Sequence, residues 1–200
     1  HTAHATQDEA MEEATKMLGA YRDFAWETLA VPVIPGIKSA TERFAGADET
    51  FTIEAMMQNG WALQAGTSHF LGQNFAKAFD VTFQSKEGTL EHVWATSWGV
   101  STRLVGAVIM AHSDDVGLVL PPKIAPIQVV LVPIWRKDHD KDRVLDFAKA
   151  VQAKLGDRFR VHMDAREKMK PGAKYFEWER KGVPLRFEVG PRDVDNNSVF

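Results

Sequence analysis

Residues 127–134 read IQVVLVPI, an almost unbroken apolar run. A strand with no polar face to offer water has to be covered on both sides, and sheets flanked by helices provide that cover. The residues downstream can supply it. Val144, Leu145, Phe147, Ala148, Val151 and Leu155 recur at helical spacing over residues 140–155, and Gly156 is a suitable stop. Residues 159–163 read as a second strand, 172–180 as a short helix and 184–189 as a third strand. The order β-α-β-α-β predicts a small α/β domain with a parallel or mixed sheet.

The first half has a different pattern. Thr6-Gln7-Asp8-Glu9 has the form of a capping box, and apolar residues every three to four positions from Ala10 to Leu29 predict a long amphipathic helix. Pro32 and Pro35 must end it, because each lacks an amide donor and pushes its predecessor out of the helical region. Residues 51–57, 61–65, 79–84 and 92–100 read as strands, close enough in sequence to pair antiparallel, with Gln58-Asn59-Gly60 as a turn. A helix is expected over 101–112, with Ser101 as its cap. The predicted fold is therefore an α+β domain built on an antiparallel sheet with helices, followed by an α/β domain. The proline cluster Pro121, Pro122, Pro126 sets the expected division at residues 1–122 and 123–200.

Composition narrows the possible functions. The 200 residues include no cysteine, which excludes disulfides, thiol catalysis and cysteine-held zinc or iron–sulfur groups within this stretch. A formal net charge of −3 argues against holding nucleic acid by bulk charge, although a local patch could still do so. No apolar run is long enough to span a membrane, and the N-terminal residues carry no signal-peptide pattern.

Two stretches concentrate polar chemistry. Residues 64–75, QAGTSHFLGQNF, pack amides, hydroxyls, a histidine and glycines together, as either a polar turn between strands or a ligand site that glycine lets a backbone approach. Residues 96–103, TSWGVSTR, run from a strand into a helix start with Arg103 in its first turn. A cation is disfavoured beside the positive end of a helix, so Arg103 is either a solvated or ion-paired side chain or the partner of an anionic ligand such as a phosphate. Other features carry less. His1 and His4 have metal-like spacing without a third ligand, Asp114 and Asp115 read as a turn, and Lys168, Lys170, Lys174, Arg180, Lys181, Arg186 and Arg192 make either a solvated surface or an RNA contact.

Taken together, GTSHFLGQNF at 66–75, TSWGVSTR at 96–103, HSDDVGLVLPP at 112–122 and GVPLRFEVGPRD at 182–193 resemble the prolyl-tRNA synthetases, class II enzymes, in order and over essentially the whole chain. The spacing leaves no room for an inserted editing domain, which makes the likeness one to the archaeal and eukaryote-like branch. The resemblance implies that motif 1 and most of motif 2 precede His1, and that the rest of the anticodon-binding domain, and in some members a zinc-binding domain, follow Phe200.

The resemblance also implies roles. Gln64, Thr67, Ser101 and Arg103 would bind ATP, with Gln64 near its Mg2+ and Arg103 set against the phosphates and adenine. His69, His1 and Phe44 would line the proline pocket, with Trp98 and Gly99 near its floor. The implied activity is ATP-dependent proline activation and transfer to tRNA(Pro) by a cytoplasmic homodimer. The alternatives are a non-catalytic tRNA-binding or regulatory module, or another class II synthetase. Of the latter, the threonyl type is disfavoured because its site needs a cysteine.

Overall fold

The computed structural model describes residues 1–200, which divide into two compact units, His1–Ala111 and His112–Phe200.

The first unit is a five-stranded antiparallel sheet in the order β1-β7-β4-β3-β2. Its strands are β1 (Thr2–His4), β2 (Val33–Ile37), β3 (Glu49–Met56), β4 (Ala62–Gly72) and β7 (Trp94–Gly99). The helix α1 (Gln7–Glu27) lies on one face. Its predicted capping box is present: Glu9 N–H donates to Thr6 Oγ1 at 3.2 Å and Thr6 N–H to Glu9 Oε2 at 3.3 Å. Ala10 and Ala14 are fully buried and bring the helix close to Phe51 and Phe70 of the sheet, and Trp94 stacks on Phe70. Burying each of those aromatic rings contributes about 1.5–3 kcal/mol. Closeness also serves a polar contact, in which Ser68 Oγ donates to the Ala14 carbonyl at 2.8 Å. Pro35 is tolerated within β2 because β2 is an edge strand with one neighbour.

Three local features differ from the sequence reading. Residues 66–72 are strand rather than turn, because Ser68 and Phe70 alternate toward α1 while Thr67 and His69 face away from it. A short helix, α2 (Asn74–Ala78), follows directly. The stretch 92–100 is not one strand: β6 (Leu90–His92) pairs with β5 (Thr82–Gln84) as a separate hairpin, and β7 starts anew at Trp94. The helix α3 (Arg103–His112) starts where expected, with Arg103 N–H donating to Ser101 Oγ at 3.2 Å.

The second unit is a three-stranded parallel sheet, order β10-β8-β9, made of β8 (Val129–Pro133), β9 (Val161–Met163) and β10 (Leu185–Val189). As the apolar run requires, β8 is central and every residue in it is buried. Trp178 of α5 (Pro171–Arg180) packs on Val130 and Val132, while Val144 and Ala148 of α4 (Asp138–Gly156) pack with Val189. A short helix, α6 (Pro191–Asp195), follows β10. The division falls before residue 122 because residues 112–122 run along this unit. Leu118 N–H donates to the Arg180 carbonyl at 3.3 Å, and Leu118 approaches Gly182 so closely that a Cβ there would sit 2.8 Å from its own Cβ. Gly182 also holds a φ of +71° that other residues resist.

Candidate functional site

The face of the first sheet turned away from α1 collects most of the residues singled out by sequence. Directly opposed residues in an antiparallel pair project to the same face. Thr67 lies opposite Gly99 and Thr52, and His69 opposite Ser97 and Thr50. This row is polar because the opposite parity, Ser68 with Trp98 and Phe51, is committed to α1.

At one end of the row, Gln64, Ala65, Gly66, Thr67, Gly99, Val100, Ser101 and Arg103 enclose a cleft of about 220 Å³. All four residues expected to contact ATP thus line one cavity, although they come from two strand segments and a helix start. Arg103 is hooked across it by an Nη1 donation to the Gln64 carbonyl at 3.2 Å, which holds the guanidinium over the cleft instead of leaving it to solvent. Gly99 has no atom within 4 Å of where a Cβ would stand, so its lack of a side chain keeps the cleft open without serving the packing. A second cation, unanticipated from sequence, joins them: Lys38 Nζ donates to Gln64 Oε1 at 2.5 Å. The combination of a helix start, two cations and a glycine floor suits a polyphosphate.

The neighbouring part of the row brings Phe44, Thr50 and His69 into contact. Phe44, in the loop between β2 and β3, tilts against the His69 ring with centroids 5.0 Å apart. Thr50 Oγ1 accepts from Phe44 N–H at 3.3 Å and lies 3.0 Å from His69 Nδ1. The direction of the Thr50–His69 bond follows the ring's tautomer, since the hydroxyl can accept from Phe44 N–H and either donate to or accept from Nδ1. Burial lowers the His69 pKa from its usual 6.5, and the charge on Lys38 lowers it further, so the ring is neutral near pH 7. The β1–β7 register, extended by one residue beyond Thr2–Thr96, sets His1 beside Ser97 on the same face.

Trp98 is the exception. It opposes Ser68, whose hydroxyl reaches α1, so its indole lies on the α1 face and cannot form the floor of a pocket built around His69. Parity assigns that place to Ser97 and leaves Gly99 in the cleft beside Thr67. Ser97, Thr50 and Lys38 are the site residues that sequence reasoning passed over.

Magnesium does not find a protein ligand set here. No group of three or more His, Cys, Asp or Glu side chains could hold a metal, no carboxylate lines the cleft, and the Gln64 amide oxygen accepts from Lys38. His4 Nε2 pairs with Thr2 Oγ1 at 2.8 Å and not with a metal partner. Asp114 Oδ1 accepts from Val116 and Gly117 N–H, the turn role read from sequence.

In the second unit the chain passes from β8 to β9 on one side, then to β10 on the other, so connections diverge at the C-terminal ends of the strands, where such sheets commonly take ligands. Two hollows lie there. One of about 750 Å³ is lined by residues including Trp135, Arg136, Lys137, Arg192 and Phe200. The other, about 320 Å³, includes Arg166, Lys168, Lys170 and Lys174. Cations beside aromatic rings suit single-stranded nucleic acid. Not all of the basic run is free for that purpose: Lys181 pairs with Glu177 at 2.7 Å and Arg186 with Glu188 at 3.1 Å.

Comparison with known proteins agrees with this geometry. Residues 128–200 match the family described as anticodon binding domain. The chain is 61% identical over 199 residues to a proline–tRNA ligase of Flavobacterium johnsoniae, covering 99% of this chain and 40% of that protein. It is 58% identical over 200 residues to one of Porphyromonas gingivalis, covering 100% of this chain and 41% of that protein. The structure of prolyl-tRNA synthetase from Cryptosporidium parvum, solved in complex with L-proline and AMP, matches with a TM-score of 0.90 at 45% identity, over 98% of this chain and 43% of that one. The chain thus spans about two fifths of the length of these relatives. Residues 128–200 are thus similar to the anticodon binding domain, and the chain as a whole aligns, end to end, with a stretch of these prolyl-tRNA synthetases.

Proposed function

We propose that this chain forms part of a proline–tRNA ligase. The first unit supplies a share of the ATP and proline sites, as a class II catalytic core would, and the second unit binds tRNA(Pro) at its anticodon. The observation that carries the reading is the convergence of Gln64, Thr67, Ser101 and Arg103 on one cleft, beside the His69–Phe44 ring pair.

In this reading ATP lies along the cleft with its phosphates facing Arg103 and Lys38, and proline lies beside His69, between Phe44 and Ser97. The proline carboxylate attacks the α-phosphorus and pyrophosphate leaves. The terminal ribose hydroxyl of tRNA then attacks the prolyl carbonyl and releases AMP. No general acid or nucleophile of the chain is required, because alignment and cationic stabilisation of the transferring group supply most of the acceleration in such reactions. Mg2+ enters as part of the ATP substrate, with the Gln64 amide oxygen, which also accepts from Lys38, near it. A pocket bounded by rings and a strand face admits a small apolar ring mainly by shape, which limits its discrimination against smaller amino acids. The cytoplasmic homodimer implied by the resemblance belongs to the same reading. No helix is long and apolar enough to cross a membrane.

The test is proline-dependent exchange of pyrophosphate into ATP by a complete synthetase carrying this chain. Exchange with proline is expected. Exchange with a different amino acid, or none at all, refutes the proposal.

A further inference from the structure

Phe44 is half exposed, so burial does little to fix it, yet the loop that carries it is held at several points. The holding side chains come mainly from α2. Asn74 Nδ2 donates to the Gly46 carbonyl at 3.2 Å and to Asp48 Oδ1 at 2.8 Å, so one amide ties down both ends of the turn that follows Phe44. Phe75, the next residue, lays its ring on the Phe44 ring with centroids 6.3 Å apart and is itself stacked on Phe79 at 6.5 Å. The Phe75 ring also covers Gly46 so closely that a Cβ there would lie 2.8 Å from Phe75 Cζ, and Gly46 holds a φ of +90°. Asp48 packs with the same closeness on Gly72, where a Cβ would lie 1.9 Å from its Oδ2, and Asp48 N–H donates to the Phe70 carbonyl at 3.0 Å. The far side of Phe44 meets His69.

We infer that Asn74 and Phe75 are positioning residues for the amino-acid pocket: they clamp the loop so that Phe44 forms a fixed wall against His69, and thereby set proline affinity and the exclusion of smaller amino acids. The inference rests on the reading of this face as a proline site. The two residues touch neither substrate and act through Phe44. A wall that is free to swing lets an undersized ligand bind almost as well as proline, because a ring-sized pocket discriminates only while its walls stay in place.

The experiment measures pyrophosphate exchange in a complete synthetase carrying this chain, with Asn74→Ala, Asn74→Asp and Phe75→Ala compared with the unmodified enzyme. Loss of the clamping hydrogen bonds is expected to raise KM for proline by about 3- to 10-fold for the Asn74 variants. Phe75→Ala should raise it at least as much. KM for ATP should change less than about twofold, because Gln64, Thr67, Ser101 and Arg103 are untouched, and the preference for proline over alanine should fall in step with the proline effect. Asn74→Asp keeps the shape, loses the donor and sets a second carboxylate against Asp48, so its effect should equal or exceed that of Asn74→Ala, and the two answer the question even if Phe75→Ala does not fold. Unchanged KM for proline in the Asn74 variants overturns the inference, and so does an equal loss of apparent activity toward all substrates with no KM altered, the mark of a residue needed only for folding. Absence of exchange in the unmodified enzyme refutes the parent reading itself, a result separable from either.

Discussion

Replacing Asp164 by asparagine tests whether the second unit depends on one buried carboxylate. Asp164 is 1% exposed and sits just beyond β9, where donors converge on it. Arg166 Nε reaches Oδ1 at 2.8 Å and Arg166 Nη2 reaches Oδ2 at 2.7 Å. Trp178 Nε1 donates to Oδ2 at 2.8 Å, while the buried Lys174 lies 3.8 Å from Oδ1 and donates to the Asp164 carbonyl at 2.9 Å. An asparagine replaces one oxygen by an NH2: at Oδ2 the Trp178 bond and one Arg166 bond are lost, at Oδ1 the remaining Arg166 bonds, and in either case Lys174 is left buried without a counter-charge. The Arg166 side chain is 46% exposed, so water replaces much of its share. The lost counter-charge on buried Lys174, with the Trp178 bond where Oδ2 is the atom replaced, is not made good by water and costs about 3–4 kcal/mol. Hydrogen exchange reads the two units separately: β8 amides should lose protection by roughly 100- to 1,000-fold, while β3 and β4 amides stay unchanged. Acid titration supplies a second arm. The hydrogen bonds from Arg166, opposed by burial and aided by Trp178, hold the Asp164 carboxyl well below its ordinary 3.8. Its contribution is therefore complete above the unfolded value and is lost as pH falls from about 4 toward the folded one, a decline that the asparagine variant should lack. A loss of protection below about fivefold, or an unaltered acid limb, would refute the reasoning.

Three further outcomes are expected in a complete synthetase. Arg103→Ala should cut kcat/KM for ATP by about 10- to 100-fold, and Arg103→Lys should restore only part of it, since lysine lacks the planar fork that reaches the Gln64 carbonyl; steady-state exchange kinetics check both. Gly99→Val meets open space and should leave thermal stability within about 1 kcal/mol while weakening ATP binding by at least about tenfold, as calorimetric titration will show. Because the folded pKa of His69 is depressed below 6.5, the neutral ring persists above that value and is lost as pH falls through the lower one. KM for proline should therefore be flat from pH 8 to about 6.5 and rise only on further acidification, and a rise beginning above 7 counts against the assignment.

How far the site was legible depended on how its parts are spaced along the chain. The cleft proposed for ATP was visible because its residues lie in two short runs whose types already suggest the chemistry: an arginine in a helix's first turn is costly without an anion. The apolar run at 127–134 likewise announced a doubly covered strand, and β8 is fully buried. The hidden parts depend on pairing between distant segments. Lys38 follows a proline-rich edge strand and shows its role only because the β2–β3 pairing and the loop after it carry its ammonium to Gln64. Thr50 looks like an ordinary β-former until its register opposite His69 is known. The helix α2 is only five residues long with no side-chain cap, so propensity gives no reason to expect it.

Trp98 shows what period-two geometry adds. A stretch such as TSWG presents four candidate contacts to a reader of the sequence, but a strand can send only alternate ones to one side. The choice is made on the face that carries no chemistry. Ala10 and Ala14 admit α1 close enough for Ser68 to reach the Ala14 carbonyl, and Phe51 and Phe70 are buried beneath the helix. Once those side chains point toward α1, Thr50, Thr67, His69 and Ser97 must point away from it. A slip of one residue in the β4–β7 register would reverse the faces of β7, moving the Trp98 indole onto the site and Ser97 beneath α1. The packing of small alanines of α1 is therefore part of what arranges the polar face of the sheet, although those residues lie on the opposite side.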